Sequence, residues 1–362
     1  MKERHKSRVA VGLSGGVDSS VAAALVKEMG YEVLGLTMKV YDGAVTLHEA
    51  GRHTCYGPGE EEDVEVAERV CQKLGIRLHV IDLKQEYRDH VINYFRREYI
   101  EGKTPNPCVV CNQKLKFGFL LEKARAVGLE FDCFATGHYA RVTKSGQRFV
   151  LQRALDSSKD QTYFLYGLTQ EQLSRILFPL GSYTKQQVRQ IARTLNLETA
   201  ERRESQDFIA GGDYLPLFSE EELRAGEIVD QSGNVLGKHR GIMRYTVGQR
   251  RGLGIASGKP FYVSRIDAPN NQVVVSHKEP FSRGVIVTDL NLIALEAIEH
   301  PRQVEAKIRL QHRGAPATVF PPENSMTKII FQEPQFSVTP GQSAVFYAED
   351  IVYGGGVIQS VL

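Results

Sequence analysis

The sequence predicts an α/β N-terminal domain built on a parallel sheet, then a small, mainly β central domain and a C-terminal β-barrel. Three observations carry this reading. Strand-like and helix-like runs alternate through the first part of the chain; a turn-rich stretch of short β-like runs begins near Gly211; further β runs fill the chain from about Phe281. Alternation of strands with helices implies parallel strands covered on both faces, whereas short runs separated by turns imply antiparallel sheets or barrels.

The first part offers strands at Val9–Leu13, Glu32–Met38, Arg77–Leu83 and Asp132–Thr136, and helices at Ser19–Met29, Glu61–Leu74, Tyr87–Ile100 and Leu115–Val127. Ligands of such sheets sit beyond the carboxyl ends of the strands, so Ser14, Met38 and Gly137 are placed to share one pocket. Two more helices are expected at Thr169–Phe178 and Thr184–Asn196, with Ser182 and Thr184 as candidate caps and Gln187 placed for a capping box. The turns Ser232-Gly233-Asn234, Gly252-Leu253-Gly254 and Pro269-Asn270-Asn271 punctuate the central part. The runs Gly284–Val287, Ala306–Leu310, Ala317–Phe320, Lys328–Phe331, Ser343–Tyr347 and Gly355–Val361 suggest the barrel. The expected domains are therefore 1–210, 211–280 and 281–362.

With 362 residues the chain is long for one domain. Its 42% hydrophobic and 24% charged residues are those of a globular protein. No apolar run approaches the ~20 residues that span a bilayer, and the charged N-terminus leads straight into a strand, so a cytoplasmic protein with no membrane partner is expected. The net charge of +2 says little, but its distribution says more. From Gln231 to Ile266 there is no Asp or Glu, while Lys238, Arg240, Arg244, Arg250, Arg251, Lys259 and Arg265 are present. A one-signed stretch of this length suits a polyanion.

Gly12-Leu13-Ser14-Gly15-Gly16-Val17-Asp18-Ser19-Ser20 is the most informative segment. A strand, a tight glycine turn and a helix start make a nest of backbone N–H groups for phosphate oxygens. Asp18 cannot bind phosphate directly but can hold Mg²⁺. The segment lacks the Lys of the G-x-x-x-x-G-K-[ST] loop and is not G-x-G-x-x-G. It resembles the PP-loop, SGGxDS, of ATP pyrophosphatases, which cleave ATP between the α and β phosphates and adenylate a substrate oxygen; the resemblance implies an adenine nucleotide alpha hydrolase-like fold with ATP as cosubstrate.

The five cysteines are Cys55, Cys71, Cys108, Cys111 and Cys133. An odd number clustered in the first half is not a secreted disulfide framework. Cys108 and Cys111 form C-x-x-C after Thr104-Pro105-Asn106-Pro107, whose prolines are expected to bar a regular helix and fix a rigid turn. Such a pair can share a metal, form a redox couple or present a sulfur nucleophile. Cys111 precedes a helix-like run containing Lys114 and Lys116, and the dipole with those cations is expected to favour thiolate. Cys71 falls on an apolar helical stripe with Val64, Ala67 and Leu74 and reads as core.

These motifs come in an order that resembles the bacterial tRNA 2-thiouridylases, the MnmA family. The similarity covers nearly the whole length: the PP-loop, Thr104-Pro105-Asn106-Pro107 with Cys111-Asn112, Ala135-Thr136-Gly137-His138-Tyr139, Lys159-Asp160-Gln161-Thr162-Tyr163-Phe164-Leu165, Thr246–Gly254 and Thr339–Val345. The resemblance implies ATP contacts at Gly12, Leu13, Ser14, Gly15, Gly16, Val17, Asp18, Ser19, Met38 and Gly137, and a nucleophile at Cys111. It implies target-base contacts at Asn106, Pro107 and Cys108, and tRNA contacts at His138, Lys159, Asp160, Gln161, Arg309 and Gln342. Arg250 and Arg251, from the basic stretch, join the expected tRNA contacts. The partners implied are tRNA and a sulfur donor: sulfide, a sulfur-relay protein or a cysteine desulfurase.

Two departures from the family pattern stand out. Many members carry Asp where this chain has Cys108, and a second catalytic cysteine where this chain has Ile209, in Ser205-Gln206-Asp207-Phe208-Ile209-Ala210. Two readings compensate. In one, Cys108, Cys111 and a third thiol hold an iron–sulfur cluster of the 4Fe–4S type, with Cys55 as the third ligand and Cys133 the alternative. In the other, sulfur passes between Cys108 and Cys111 as persulfide or disulfide. A structural zinc site would want four closed ligands.

The expected reaction is ATP-dependent 2-thiolation of the wobble uridine of tRNA. Uridine O2 attacks the α-phosphate, pyrophosphate leaves, sulfur attacks C2 and AMP departs. The target base must leave its stack to enter such a pocket. Competing readings are a PP-loop enzyme that thiolates another RNA base or amidates a small metabolite, and a catalytically inactive tRNA-binding protein.

Overall fold

In the computed structural model, residues 7–45, 47, 54–202 and 207–362 are described. Ser205, Gln206 and residues 51–53 before Cys55 lie outside them. The chain forms two compact units: Met1–His90 with Cys108–Asp213 and Asp350–Val352, and Val91–Pro107 with Tyr214–Glu349 and Tyr353–Leu362.

The first unit is built on a five-stranded parallel sheet. Its strand order is Arg77–Asp82, Glu32–Lys39, Arg8–Gly12, Cys133–Ala135 and Ile176–Leu177. The first strand, Arg8–Gly12, lies inside the sheet: the chain builds outward on one side of it through Glu32–Lys39 and Arg77–Asp82, then on the other through Cys133–Ala135 and Ile176–Leu177. That is the crevice where parallel sheets bind ligands. The strand is buried at Val9, Ala10 and Val11 because helices cover both faces. Val17–Glu28 is buried almost throughout, and Ala67 and Cys71 of helix Glu60–Leu74 join Val9, Val11 and Leu13 in one core cluster. A short strand, Thr54–Tyr56, pairs in parallel with Asp207–Ile209.

Several elements differ from the sequence expectation, each for a physical reason. The helix expected at Tyr87–Ile100 runs as Lys84–Tyr87, a π-helical turn Arg88–Ile92, and Asn93–Ile100. The one expected at Leu115–Val127 begins earlier, at Pro107, and includes nine π-helical residues, Cys111–Phe119, before Leu120–Ala126. The prolines therefore do not bar a helix: Pro107 stands at its first position, where a missing N–H costs nothing. Of Thr169–Phe178 only Gln170–Leu173 is helical, and Ile176–Leu177 becomes the edge strand of the parallel sheet. Helix Lys185–Thr194 starts at the expected Thr184/Gln187 capping box. The hairpin Ala140–Ser145 with Arg148–Arg153 has no counterpart among the expected strands.

The second unit carries a four-stranded sheet of Val235–His239, Gly226–Val229, Gln272–Ser276 and Tyr262–Asp267. It also carries a six-stranded barrel from Phe281–Leu292, Arg302–Lys307, Ala315–Val319, Thr327–Phe336, Ser343–Ala348 and Ile351–Val361, closed by pairing of the first with the last. Closure removes the sheet edges, and inward-facing Val287, Ala306, Ala317, Ile329, Phe331 and Phe346 fill the interior. Helix Asn93–Ile100 belongs to this unit, where Tyr99 stacks on Tyr214 with centroids 5.0 Å apart.

Candidate nucleotide and sulfur site

The glycine turn forms as its sequence requires. Gly15 takes φ +69°, and a side chain there would meet the Asp63 backbone oxygen at 2.6 Å. Gly16 precedes helix Val17–Glu28. The Ser19 hydroxyl accepts from the Ser14 N–H at 3.2 Å and donates to Gly16 O at 3.1 Å, and Ser20 Oγ donates to Gly16 O at 2.8 Å. These bonds hold the turn open around the helix N-terminus, the geometry that collects phosphate oxygens. Met38, one residue before the end of its strand, is half-buried. A Cβ at Gly137 would lie 2.7 Å from Ser19 N and from the Asp18 carbonyl carbon, so glycine lets this loop close on the turn.

Asp18 is not an open metal ligand. Lys185 Nζ donates to both of its carboxylate oxygens at 2.8 Å, and the Tyr139 hydroxyl donates to Oδ1 at 2.9 Å. Arg202 was not anticipated from sequence either: it donates to Gly15 O at 2.8 Å and pairs with Asp63 at 2.7 Å, bracing the turn from outside.

Cys111 opens the π-helical segment and is 6% exposed. A π-helix has more than four residues per turn, so residues five apart come round to nearly one face, whereas in an α-helix they diverge. Lys116 is five residues on, half-buried, and it acts on Cys111. Burial nevertheless dominates and pushes the Cys111 thiol up to about 11, with Lys116 opposing and Cys55 adding to the rise. The expectation of a resting thiolate is thus corrected: desolvation outweighs the cation.

Lys116 also joins the thiols to the glycine turn. Burial alone would lower its own pKa, but Cys111, Cys55 and Cys108 raise it overall. Burial first, then Lys116, holds His138 well below the usual range, so its imidazole is neutral. Thr136 Oγ1 lies 2.8 Å from His138 Nδ1, and His138 directly follows Gly137. Tyr87, fully buried, is raised by burial and then by Cys111, Cys55 and Cys108. Three thiols, two of them at helix-start C-x-x-C spacing, thus act electrostatically on the same lysine and tyrosine.

They do not form a ligand set. Among the described residues, no group of three His, Cys, Asp or Glu side chains could hold a metal ion. Cys55 is exposed, Cys108 half-buried and Cys111 buried, so as placed these residues do not fit the expected cluster. Cys133 is remote from this set: it packs against Val9 and its neighbours, and burial, then Asp132, raise it. Ile209, at the position of the family's second cysteine, is buried and pairs with Tyr56.

The remaining expected positions are distributed as follows. Asp160 accepts from Ala154 N at 3.1 Å and Thr162 Oγ1 at 2.8 Å, Gln161 Oε1 accepts from Tyr139 N at 2.8 Å, and Lys159 beside them is half-buried. Tyr139 and Tyr163 are core residues. In the second unit, Gln342 Nε2 donates to Thr104 O at 2.9 Å and Pro105 O at 3.2 Å, securing the segment that ends in buried Asn106 and Pro107. Arg309 donates to Phe336 O at 3.1 Å. Arg250 and Arg251 are exposed, and Arg250 lines an open cavity of about 560 Å³ with Lys259 and Phe261.

Three family models match in succession: a "tRNA methyl transferase HUP domain" over residues 7–210, a "tRNA methyl transferase PRC-barrel domain" over 214–277 and an "Aminomethyltransferase beta-barrel domain" over 282–358. The tRNA-specific 2-thiouridylase MnmA of Acetivibrio thermocellus is 47% identical over 98% of this chain and 99% of its own. Its counterpart in Clostridium perfringens is 45% identical over 99% of each chain. The one in Pelotomaculum thermopropionicum is 44% identical over 98% of each. With such identity along the whole of both partners, the chain belongs to the tRNA-specific 2-thiouridylase MnmA family.

Proposed function

We propose that the protein uses ATP to replace O2 of the tRNA wobble uridine with sulfur, with priming at the Ser14–Ser19 turn and sulfur delivery from Cys111. The observation that carries this is the ordered glycine turn, with the Gly137 loop closed on it, in the same compact unit as the buried Cys111 thiol. Methyl transfer, the wording of two family models, uses neither a PP-loop nor a buried thiol.

The triphosphate lies on the N–H groups of the turn, with Met38 and Gly137 flanking the adenosine. Because Lys185 engages Asp18, a Mg²⁺ ion would be held chiefly by the phosphate oxygens, where it would neutralise their charge. Uridine O2 attacks the α-phosphorus, the α–β bond breaks, and the turn stabilises the departing pyrophosphate. Resting neutral, His138 accepts the N3 proton that the base loses, becoming an imidazolium while negative charge builds on the departing pyrophosphate, and returns it to N3 when the 2-thiocarbonyl is freed. The terminal sulfur of a Cys111 persulfide then attacks C2, and AMP leaves with the former O2. Cys108 attacks Cys111 Sγ, which frees the 2-thiocarbonyl and leaves a Cys108–Cys111 disulfide for a cellular dithiol to reduce. A cluster on Cys55, Cys108 and Cys111 would require those thiols to close together. The sulfur comes from a persulfide-bearing donor, a relay protein or desulfurase.

Residues 1–210 serve as the catalytic region in this reading. Residues 211–280 and 281–362 hold the tRNA, through Arg250, Arg251, Arg309 and Gln342, in the cytoplasm. No described helix is long and apolar enough to cross a membrane. The test is tRNA-stimulated ATP–pyrophosphate exchange together with nucleoside mass spectrometry. The reading expects exchange in wild type and Cys111→Ser alike, and 2-thiouridine in wild type alone. Absence of exchange in the wild type overturns it.

A further inference from the structure

Cys111 needs a sulfur atom but is nearly sealed from solvent, at 6% exposure. A donor that carries sulfur on its own side chain must meet a thiol it can touch. Of Cys55, Cys108 and Cys111, Cys55 is the exposed one. The two other cysteines are elsewhere: Cys71 is 1% exposed in the sheet core, and Cys133 packs beside Val9.

The position of Cys55 is built. Strand alternation turns Tyr56 inward and Cys55 outward. The Tyr56 ring stacks on Tyr87 with centroids 5.3 Å apart and planes 6° from parallel, and its hydroxyl donates to Asp42 at 3.0 Å. On the other side the strand is hydrogen-bonded to Asp207–Ile209. The exposed thiol thus sits on backbone tied through Tyr56 to buried Tyr87, whose hydroxyl is raised by burial and then by Cys111, Cys55 and Cys108. A graded series from exposed to buried is what a relay needs; a cluster would need the three at one distance from one point.

We infer that Cys55 is the entry thiol: it takes sulfane sulfur from a persulfide donor at the surface and passes it inward to Cys111. The inference rests on the thiolation reading above. In the first step the Cys55 thiolate attacks the terminal sulfur of the donor persulfide; the donor S–S bond breaks, a new one forms on Cys55, and the donor thiolate takes the proton Cys55 gave up. In the second, the Cys111 thiolate attacks that terminal sulfur, Cys111 persulfide forms and Cys55 leaves as thiolate. Neither step changes the overall oxidation level. Lys116 opposes the rise that burial imposes on Cys111, the nucleophile of the second step.

The experiment uses the full-length enzyme, without ATP or tRNA, incubated with glutathione persulfide, alkylated and read by peptide mass spectrometry. The wild type should carry an extra sulfur on Cys111, the Cys111→Ser variant should accumulate it on Cys55, and Cys55→Ser should lose it from Cys111. ATP–pyrophosphate exchange stimulated by tRNA should persist in Cys55→Ser, which separates failure of this inference from failure of the functional reading. Loading of Cys111 in Cys55→Ser at the wild-type rate would overturn the entry role. So would stoichiometric iron and sulfide in anaerobically purified wild type that is lost in Cys55→Ser.

Discussion

Lys185 places its ammonium 2.8 Å from each carboxylate oxygen of Asp18, on the first turn of the helix that receives the phosphates. Lys185 itself is the first residue of a helix, where the dipole disfavours a cation. The position makes sense only through its partner. The pair fixes the Asp18 backbone and keeps the carboxylate charge from repelling the triphosphate.

Lys185→Met should therefore impair adenylation and lower stability. Lys185 is 11% exposed and Asp18 28%, so the loss should be about 1–3 kcal/mol, below the cost for a fully buried pair. Exchange kinetics should show a raised KM for ATP, and thermal melts a lower midpoint; unchanged values in both would refute the role.

Gly137→Ala tests the close approach of the second loop. Its Cβ would fall 2.7 Å from Ser19 N and the Asp18 carbonyl carbon, both backbone atoms, so the turn must shift. A displacement of about 1 Å in a catalytic element costs roughly 10²-fold in rate. Pyrophosphate exchange should fall to that degree, with far-ultraviolet circular dichroism unchanged.

The Cys111 thiol supplies a pH prediction. Its folded pKa of about 11 lies above the ordinary 9.0, so the folded state keeps a proton that the unfolded state gives up. The stabilisation is fully present below pH 9 and is lost as pH rises from about 9 to 11. In the folded enzyme, Cys111 alkylation should accelerate through that window. Because Lys116 lowers the Cys111 pKa, Lys116→Met should move the profile to still higher pH. A profile centred near neutrality would contradict the dominance of burial.

Gln342→Ala removes two bonds, to Thr104 O and Pro105 O. The loss should be about 1–2 kcal/mol, expressed in the Thr104–Pro107 segment. Thiolation should show a raised KM for tRNA, while ATP turnover without tRNA stays the same.

Much of this arrangement was legible in the sequence, and the limits are instructive. The phosphate turn was readable because every part of it is local: apolar strand, Gly15-Gly16, then serines and Asp18. The barrel strands declared themselves by alternation. The π-helical stretch from Cys111 did not, since one extra residue per turn leaves no mark on apolar spacing. It changes which side chains meet, and it brings Lys116 round to Cys111. Edge strand Ile176–Leu177 is two residues long and reads as the end of a helix. Lys185 and Arg202 reach partners 167 and 187 residues away, and nothing near either residue announces it. Cys55 could be named as a thiol of interest, but only the pairing of its strand with Asp207–Ile209 and its stack on Tyr87 through Tyr56 give it a place.

The account turns on the oxygen that is exchanged. A tRNA carrying heavy oxygen at O2 of the wobble uridine, incubated with enzyme, ATP and a persulfide donor, should yield 2-thiouridine and AMP that bears the heavy atom on its phosphate. AMP with no heavy oxygen, formed alongside 2-thiouridine, would contradict adenylation of the base and with it the joining of the glycine turn to Cys111.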